Sequence, residues 1–306
     1  MLIPTKKILT KAQRGNYAVA AFNINNMEIA SAVIDAAEAE QSPVIIQTSE
    51  GAIQYAGMDV LVAITQTLAK KASVPIALHL DHGKDMLIIK EAIRAGYQSV
   101  MYDGSDLEYH KNVENTKLVV AAARKLRASV EAELGALAGI EDLVSTDARD
   151  AHLTDPTQAH DFARQTKCDF LAVAVGTSHG AYKFSRQSAL DHGRLAQIRK
   201  KVRVPLVLHG ASSVPQAMVK RINALGGSLG SPMGVSNRDL RKSVAEGICK
   251  VNTDTDLRLA FTAGVRGALE KKTKEFDPRK ILTPAYEEMV KTARWKMRLL
   301  GSSKKV

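Results

Sequence analysis

Short apolar runs alternate with helix-period segments eight times along this chain. The runs stand near Tyr17–Phe22, Val44–Thr48, Ile76–Leu80, Ser99–Tyr102, Ser129–Glu133, Phe170–Val175, Leu206–Leu208 and Ile248–Val251. Between them lie amphipathic patterns such as Glu28–Glu40 and Val60–Lys71. Parallel strands need long crossovers, so strict β–α alternation implies a parallel sheet. Eight units predict a closed (β/α)8 TIM barrel rather than an open sheet. Prolines at 43, 75 and 205 introduce three strands, at positions where a missing N–H costs no ladder bond. From about Asp277 to Leu300 the pattern reads as a C-terminal helical extension, packed outside the barrel or on another subunit. No linker, repeat or low-complexity tract divides residues 1–306, so one domain is expected.

Two connections are longer than a simple barrel needs. Gly135–Thr154 follows the fifth strand and is rich in small and acidic residues; Gly226–Asn237 precedes the last strand. Long loops in compact domains are usually functional.

Composition narrows the partners. The formal charge is +11, but the basic residues are spread along the chain, with local clusters only at Lys271–Lys274 and in the tail. Aromatics make up only 5%. Nucleic-acid binding predicts clustered cations with interleaved aromatics, so it ranks far lower than a solvated basic surface that steers an anionic substrate. Cys168 and Cys249 form no C-x-x-C motif and read as buried free thiols, which fits a reducing, cytoplasmic setting. No apolar run approaches the roughly 18 residues of a membrane span, and the first residues lack the order of a signal peptide.

Three histidines, His82, His179 and His209, each stand just past a strand-like run and just before a glycine. In a closed barrel such positions meet at one mouth, where active sites form. Three imidazoles there would leave one position of a tetrahedral metal open. The other five histidines, His79, His110, His152, His160 and His192, carry no such pattern. Asp81 adjoins His82 and could support a ligand or move a proton. Asp103 and Glu133 end the fourth and fifth strands, where carboxylates either ligate or pair with a lysine across the mouth. Glu131 shares a face with Glu133 but lies deeper, so an interior cation is its expected partner. Glu141 lies in the long loop, and composition alone makes it an ordinary solvated glutamate. The stretches Gly176–Lys183, His209–Ser213 and Asn252–Asp256 follow the last three strands. They offer backbone N–H groups, hydroxyls and a lysine, as a phosphate site in this fold requires.

Taken together, His79-Leu-Asp-His-Gly83, Glu131-Ala-Glu-Leu-Gly135, Gly176-Thr-Ser-His-Gly180, His209-Gly-Ala-Ser212 and Asn252-Thr-Asp-Thr-Asp256 resemble the class II, metal-dependent fructose-bisphosphate aldolases. The likeness runs from Phe22-Asn-Ile-Asn-Asn26 to Phe276-Asp-Pro-Arg-Lys280. It implies zinc on His82, His179 and His209, with cobalt or another divalent ion as the alternative. It also implies a shift of the metal toward Glu133, and Asp103 near a secondary metal site. Asp81 would exchange the hydroxyl proton, Glu141 the proton on the enediolate carbon, and Asn252 would hydrogen-bond the enediolate. Gly180, Lys183, Gly210, Ser212, Asp254 and Thr255 match the ketose-phosphate site, beside which the family often holds a monovalent cation (potassium, sodium or ammonium). Asn23 matches a substrate contact and Ser49 a residue near the far phosphate. Arg279 matches an arginine reaching that phosphate from a neighbouring subunit, which implies a homodimer or homotetramer. Ala211 replaces a commoner second glycine, a change an exposed turn should tolerate.

The nearest rival is tagatose-bisphosphate aldolase, whose members often carry Ala-Thr-Glu where this chain has Asp254-Thr-Asp256; the acid at 254 leans toward fructose. Choosing between epimers takes only a few kcal/mol of differential binding. A barrel metallohydrolase and a basic nucleic-acid-binding protein are the remote alternatives.

Overall fold

The computed structural model describes residues 2–136, 139–141, 144–146, 152–177, 190–230 and 232–306, with backbone alone for 139–141 and 144–146. Eight parallel strands close a barrel: β1 (Val19–Asn23), β2 (Val44–Thr48), β3 (Ile76–Gly83), β4 (Ser99–Tyr102), β5 (Ser129–Leu134), β8 (Phe170–Val173), β9 (Leu206–Leu208) and β10 (Ile248–Thr253). Their order around the barrel is β1-β10-β9-β8-β5-β4-β3-β2. Two further strands, β6 (Gly139–Glu141) and β7 (Val144–Thr146), pair antiparallel within the connection after β5. The sequence alone predicts loop throughout that connection, so this pair is a departure from expectation. Helices fill the crossovers, and side chains such as Asn26, Asp85, Asp155 and Ser236 cap their first turns.

Each of the eight expected runs is a barrel strand. The prolines behave as the backbone chemistry requires: Pro75 and Pro205 keep their carbonyls, which accept from Val44 N at 3.0 Å and Leu171 N at 3.0 Å. β8 stops before Ala174. There the chain leaves the ladder: Ala174 N donates to Thr154 Oγ1 and Ala174 O accepts from Thr154 N.

Side-chain alternation divides the core in two. Outward residues such as Phe22, Ile46, Leu78 and Leu80 pack under the helices. Inward residues, among them Val19, Ala21, Ile45, Ala77 and Phe170, fill the barrel together with Ile8, Leu9 and Ala12 of the helix Thr5–Gly15. That helix closes the N-terminal end. Ile3 N bonds Ile76 O, and Thr5 Oγ1 lies 2.7 Å from Ser99 Oγ. Both cysteines are buried and free.

The C-terminal helix Pro278–Leu300 packs on the outside of its own barrel, against the helices Thr255–Lys271 and Met27–Glu40. Gly264 makes the first contact possible, since a Cβ there would collide with the backbone of Ala285. No helix among the described residues is long and apolar enough to cross a membrane.

Candidate active site

At the C-terminal mouth the strand ends bring acids and imidazoles together. Ordinary alternation would aim Asp81 and His82 at opposite faces of β3. Instead the register between β3 and β4 shifts between Leu80 and Gly83, and His82 takes a left-handed backbone with φ of 46°. Such a bulge re-aims a side chain at the cost of local strain. Both side chains are buried, and Asp81, His82 and His209 form one group with ligand atoms within 4.8 Å of one another. His82, Asp103 and Glu133 form a second group of the same kind. The rings of His82 and His209 meet edge-on, 4.6 Å between centroids.

Each group is oriented by a neighbour. Asp81 accepts from three amides: Asn23 Nδ2 at 2.9 Å, Gln47 Nε2 at 3.0 Å and Asn252 Nδ2 at 2.8 Å. Gln47 also donates to Asn23 Oδ1 at 2.7 Å. Carboxylates only accept, so His82 Nδ1 donates to Asp103 Oδ2 at 2.8 Å and His209 Nε2 donates to Glu131 Oε1 at 2.7 Å. Metal-ligating histidines are typically fixed in this way through the other nitrogen. Asp103 is itself held by Ser105 Oγ at 2.7 Å.

Beneath the mouth, Glu131 Oε2 accepts from Lys250 Nζ at 2.8 Å, with both side chains fully buried. The expected interior cation is therefore Lys250. A second register shift, between Ile248 and Lys250, lets Cys249 join the inner core while Lys250 still reaches Glu131. His79 lies 3.4 Å from Glu131 Oε2 and bonds Ser99 Oγ at 2.7 Å. A polar line thus runs from His209 through Glu131 and His79 to Thr5 at the barrel floor.

Electrostatics mark the mouth as a place for a cation. Burial disfavours a charged His82, yet Asp81, Asp103 and Glu133 together raise its pKa well above the ordinary value. Burial likewise opposes charge on His209, but Glu133 and Glu131 push it up to about 9. Burial would raise the Asp103 carboxyl, but His82 and Ser105 hold it well below the usual carboxylate range. His79, desolvated and facing Lys250, drops to about 3 and stays neutral. Glu133 Oε2 is buried 3.4 Å from His209 Nδ1 and makes no hydrogen bond among the described residues. Buried acids and imidazoles with an unsatisfied carboxylate oxygen suit a divalent ion, which needs deprotonated ligands and supplies positive charge.

The remaining expected residues fall in several places. His179, Gly180 and Lys183 lie outside the described residues, as does the side chain of Glu141, whose backbone ends β6. Gly210 takes φ of 59°, and Ser212 follows it in the loop after β9. Asp256 clamps that loop by accepting from Ser213 N and Val214 N, and Lys296 Nζ pairs with it at 2.8 Å. Asp254 pairs with Arg258 at 2.8 Å, and Thr255 opens the following helix. Ser49 caps the helix Glu50–Ala56, accepting from Ala52 N at 3.1 Å. Arg279 is exposed and bonds Asp277. Ala211 is buried in the outer core, so the turn there is not the exposed one expected; its methyl fills space under the helices.

Three participants escaped the sequence reading: Gln47, Lys250 and His79. Their signal is a polar residue inside an apolar strand run; for His79 the positions two residues away, Ala77 and Asp81, also face inward, whereas the register shift between Ile248 and Lys250 breaks that alternation for Lys250.

A closed parallel barrel carrying buried imidazoles and carboxylates at its C-terminal mouth defines a class of metal-dependent barrel enzymes. The family model for "Fructose-bisphosphate aldolase class-II" matches residues 3–305. The chain belongs to that family. It is 51% identical over 302 residues to fructose-bisphosphate aldolase of Thermus caldophilus, covering 99% of each chain. It is 44% identical over 307 residues to that of Helicobacter pylori strain 26695, covering all of both. Among solved structures, the YdjI aldolase of Escherichia coli K12 superposes with a TM-score of 0.82 at 32% identity, covering 100% of this chain and 99% of the other.

Proposed function

We infer that this protein cleaves fructose 1,6-bisphosphate reversibly to dihydroxyacetone phosphate and glyceraldehyde 3-phosphate, as a class II aldolase of cytoplasmic glycolysis or gluconeogenesis. One observation carries the reading most directly: Asp81, held by three amides, shares a buried ligand cluster with His82 and His209. We assign His82 and His209, with His179, to a divalent ion, which we take to be zinc, and Glu133 and Asp103 to its alternative position. When bound, the ion polarises the substrate ketone and offsets the charge of the enediolate.

The chain's own residues do the rest. Asp81 takes the proton from the hydroxyl next to the scissile carbon–carbon bond. That oxygen becomes the aldehyde as the bond breaks, and the electron pair passes into the ketone fragment. Glu141 then protonates the enediolate carbon. Asn23, Gln47 and Asn252 keep Asp81 aimed, and the buried mouth keeps water from the carbanion-like carbon. Ser49 and Arg279 would serve the far phosphate, and Gly180, Lys183, Gly210, Ser212, Asp254 and Thr255 the near one, with a monovalent cation beside it. Arg279 would act on a neighbouring subunit in a dimer or tetramer.

The test is parallel cleavage of fructose and tagatose 1,6-bisphosphate, before and after chelation and after zinc is restored. Fructose preference that vanishes with chelator and returns with zinc is expected. Tagatose preference would overturn the substrate, and cleavage surviving stringent metal removal would overturn the metal's role.

A further inference from the structure

At the opposite end of the barrel lies a second concavity, of about 660 Å³. Six cations line it: Lys6, Lys7, Lys11 and Arg14 from the N-terminal helix, and Arg124 and Arg127 from the end of the helix Tyr109–Lys125 and the turn after it. Asp169 is the one carboxylate among its described lining residues, already engaged by Lys6 Nζ at 2.9 Å and Val130 N at 2.9 Å. Among the described residues no carboxylate lies within ion-pair distance of Lys7, Lys11, Arg14 or Arg127.

This arrangement works against the fold's own stability. Lys7, Lys11 and Arg14 recur on one helix face, where like charges four residues apart repel. Arg127 occupies a left-handed position, φ 60°, that favours glycine. Charges of one sign on a concave wall focus their field into the cleft. Thr10 and Ser129 add hydroxyl groups to the wall. The volume falls in the range of single small-molecule sites. Among the described residues no aromatic ring lines the cleft, so they offer no stacking platform of the kind that single-stranded nucleic acid needs.

We propose that this basal cleft binds a small oligophosphate anion, a chain of phosphates borne by a nucleoside or free, at a site separate from the catalytic mouth. It is not visible in linear sequence because its two arms lie more than a hundred residues apart.

The experiment titrates the metal-replete, full-length protein with ATP and, separately, with inorganic tripolyphosphate at physiological salt. The probes are run against Lys7→Glu/Arg127→Glu and against a control, Lys71→Glu/Lys272→Glu, of equal charge change at exposed positions outside the cleft. Saturable binding of either probe is expected, weakened about tenfold or more by the cleft pair and less than about twofold by the control. Tighter binding of ATP than of tripolyphosphate would assign the nucleoside-borne form; equal binding would assign the free chain. Thermal midpoints and aldol cleavage rates near wild type would show that the cleft pair is folded. Equal losses in both pairs would reduce the cleft to diffuse surface charge and overturn the proposal. So would unchanged binding in the cleft pair, which would place the probe at the mouth, or tighter, cleft-dependent binding of a twenty-nucleotide single strand.

Discussion

Asp81 illustrates how a carboxylate is made specific by its neighbours rather than by its own type. Three amide donors leave it one orientation, and two of them, Asn23 and Asn252, come from β1 and β10 on the same side of the mouth. Asp81→Asn preserves shape and burial but removes the proton acceptor. We expect kcat to fall about 10²–10⁴-fold with metal content unchanged, measured by steady-state cleavage beside elemental analysis. Loss of metal in parallel with activity would instead make Asp81 chiefly a ligand. Glu131 acts one step further away, through His209. Glu131→Gln leaves Lys250 without its counter-charge and lets the His209 ring turn. Zinc affinity in chelator competition should fall about 10–100-fold, with activity returning in excess zinc. An unchanged affinity would reduce Glu131 to a partner for Lys250.

At the scale of elements, the same residues explain what could be read in advance. Stretches such as Val44–Ile46 and Leu206–Leu208 are buried on both faces and therefore uniformly apolar, which a sequence displays plainly. Strict alternation places Glu131 and Glu133 together on the inner face, and the structure agrees. Bulges are another matter. The shift that turns both Asp81 and His82 inward adds one residue to a strand and has no compositional signature beyond Gly83. Gly83 is required there because a Cβ would lie 2.6 Å from Met101 O and 2.9 Å from Ile89 Cγ1. Gly83→Ala should therefore cost roughly 1–3 kcal/mol in urea unfolding and loosen zinc through displacement of His82. A variant as stable as wild type would show that the strand end yields without strain. The β6–β7 pair was likewise hidden, because Gly139–Thr146 is short and flanked by small and acidic residues, so turn signals outweighed its few β-branched ones.

For the whole molecule, the barrel depends on how its last helix is tied back to its first crossover. Glu40 ends the helix Met27–Glu40 and accepts from Arg294 Nε at 2.7 Å, Arg298 Nε at 2.9 Å and Ser303 Oγ at 2.7 Å, while its carbonyl takes Lys304 N. The C-terminal helix carries Lys296 into the fully buried pair with Asp256, which in turn holds the loop after β9. Loosening the helix therefore reaches the mouth through that loop. The hydrogen bond from Arg298 is the largest influence on Glu40; burial opposes it, and Arg294 and Ser303 reinforce it, taking the carboxyl down from an ordinary 4.5 to about 2. A group whose pKa is depressed by folding stabilises the native state above its unfolded pKa and loses that contribution as pH falls. Stability from Glu40 is thus complete above about pH 4.5 and drains away toward pH 2. Glu40→Gln should be less stable than wild type at neutral pH, and the gap should close as the pH is lowered through that window. Denaturant unfolding of both proteins across pH 2 to 7 measures it directly. A gap that stays constant with pH would mean that the loss comes from packing of the glutamine, and that the tether's charge contributes nothing.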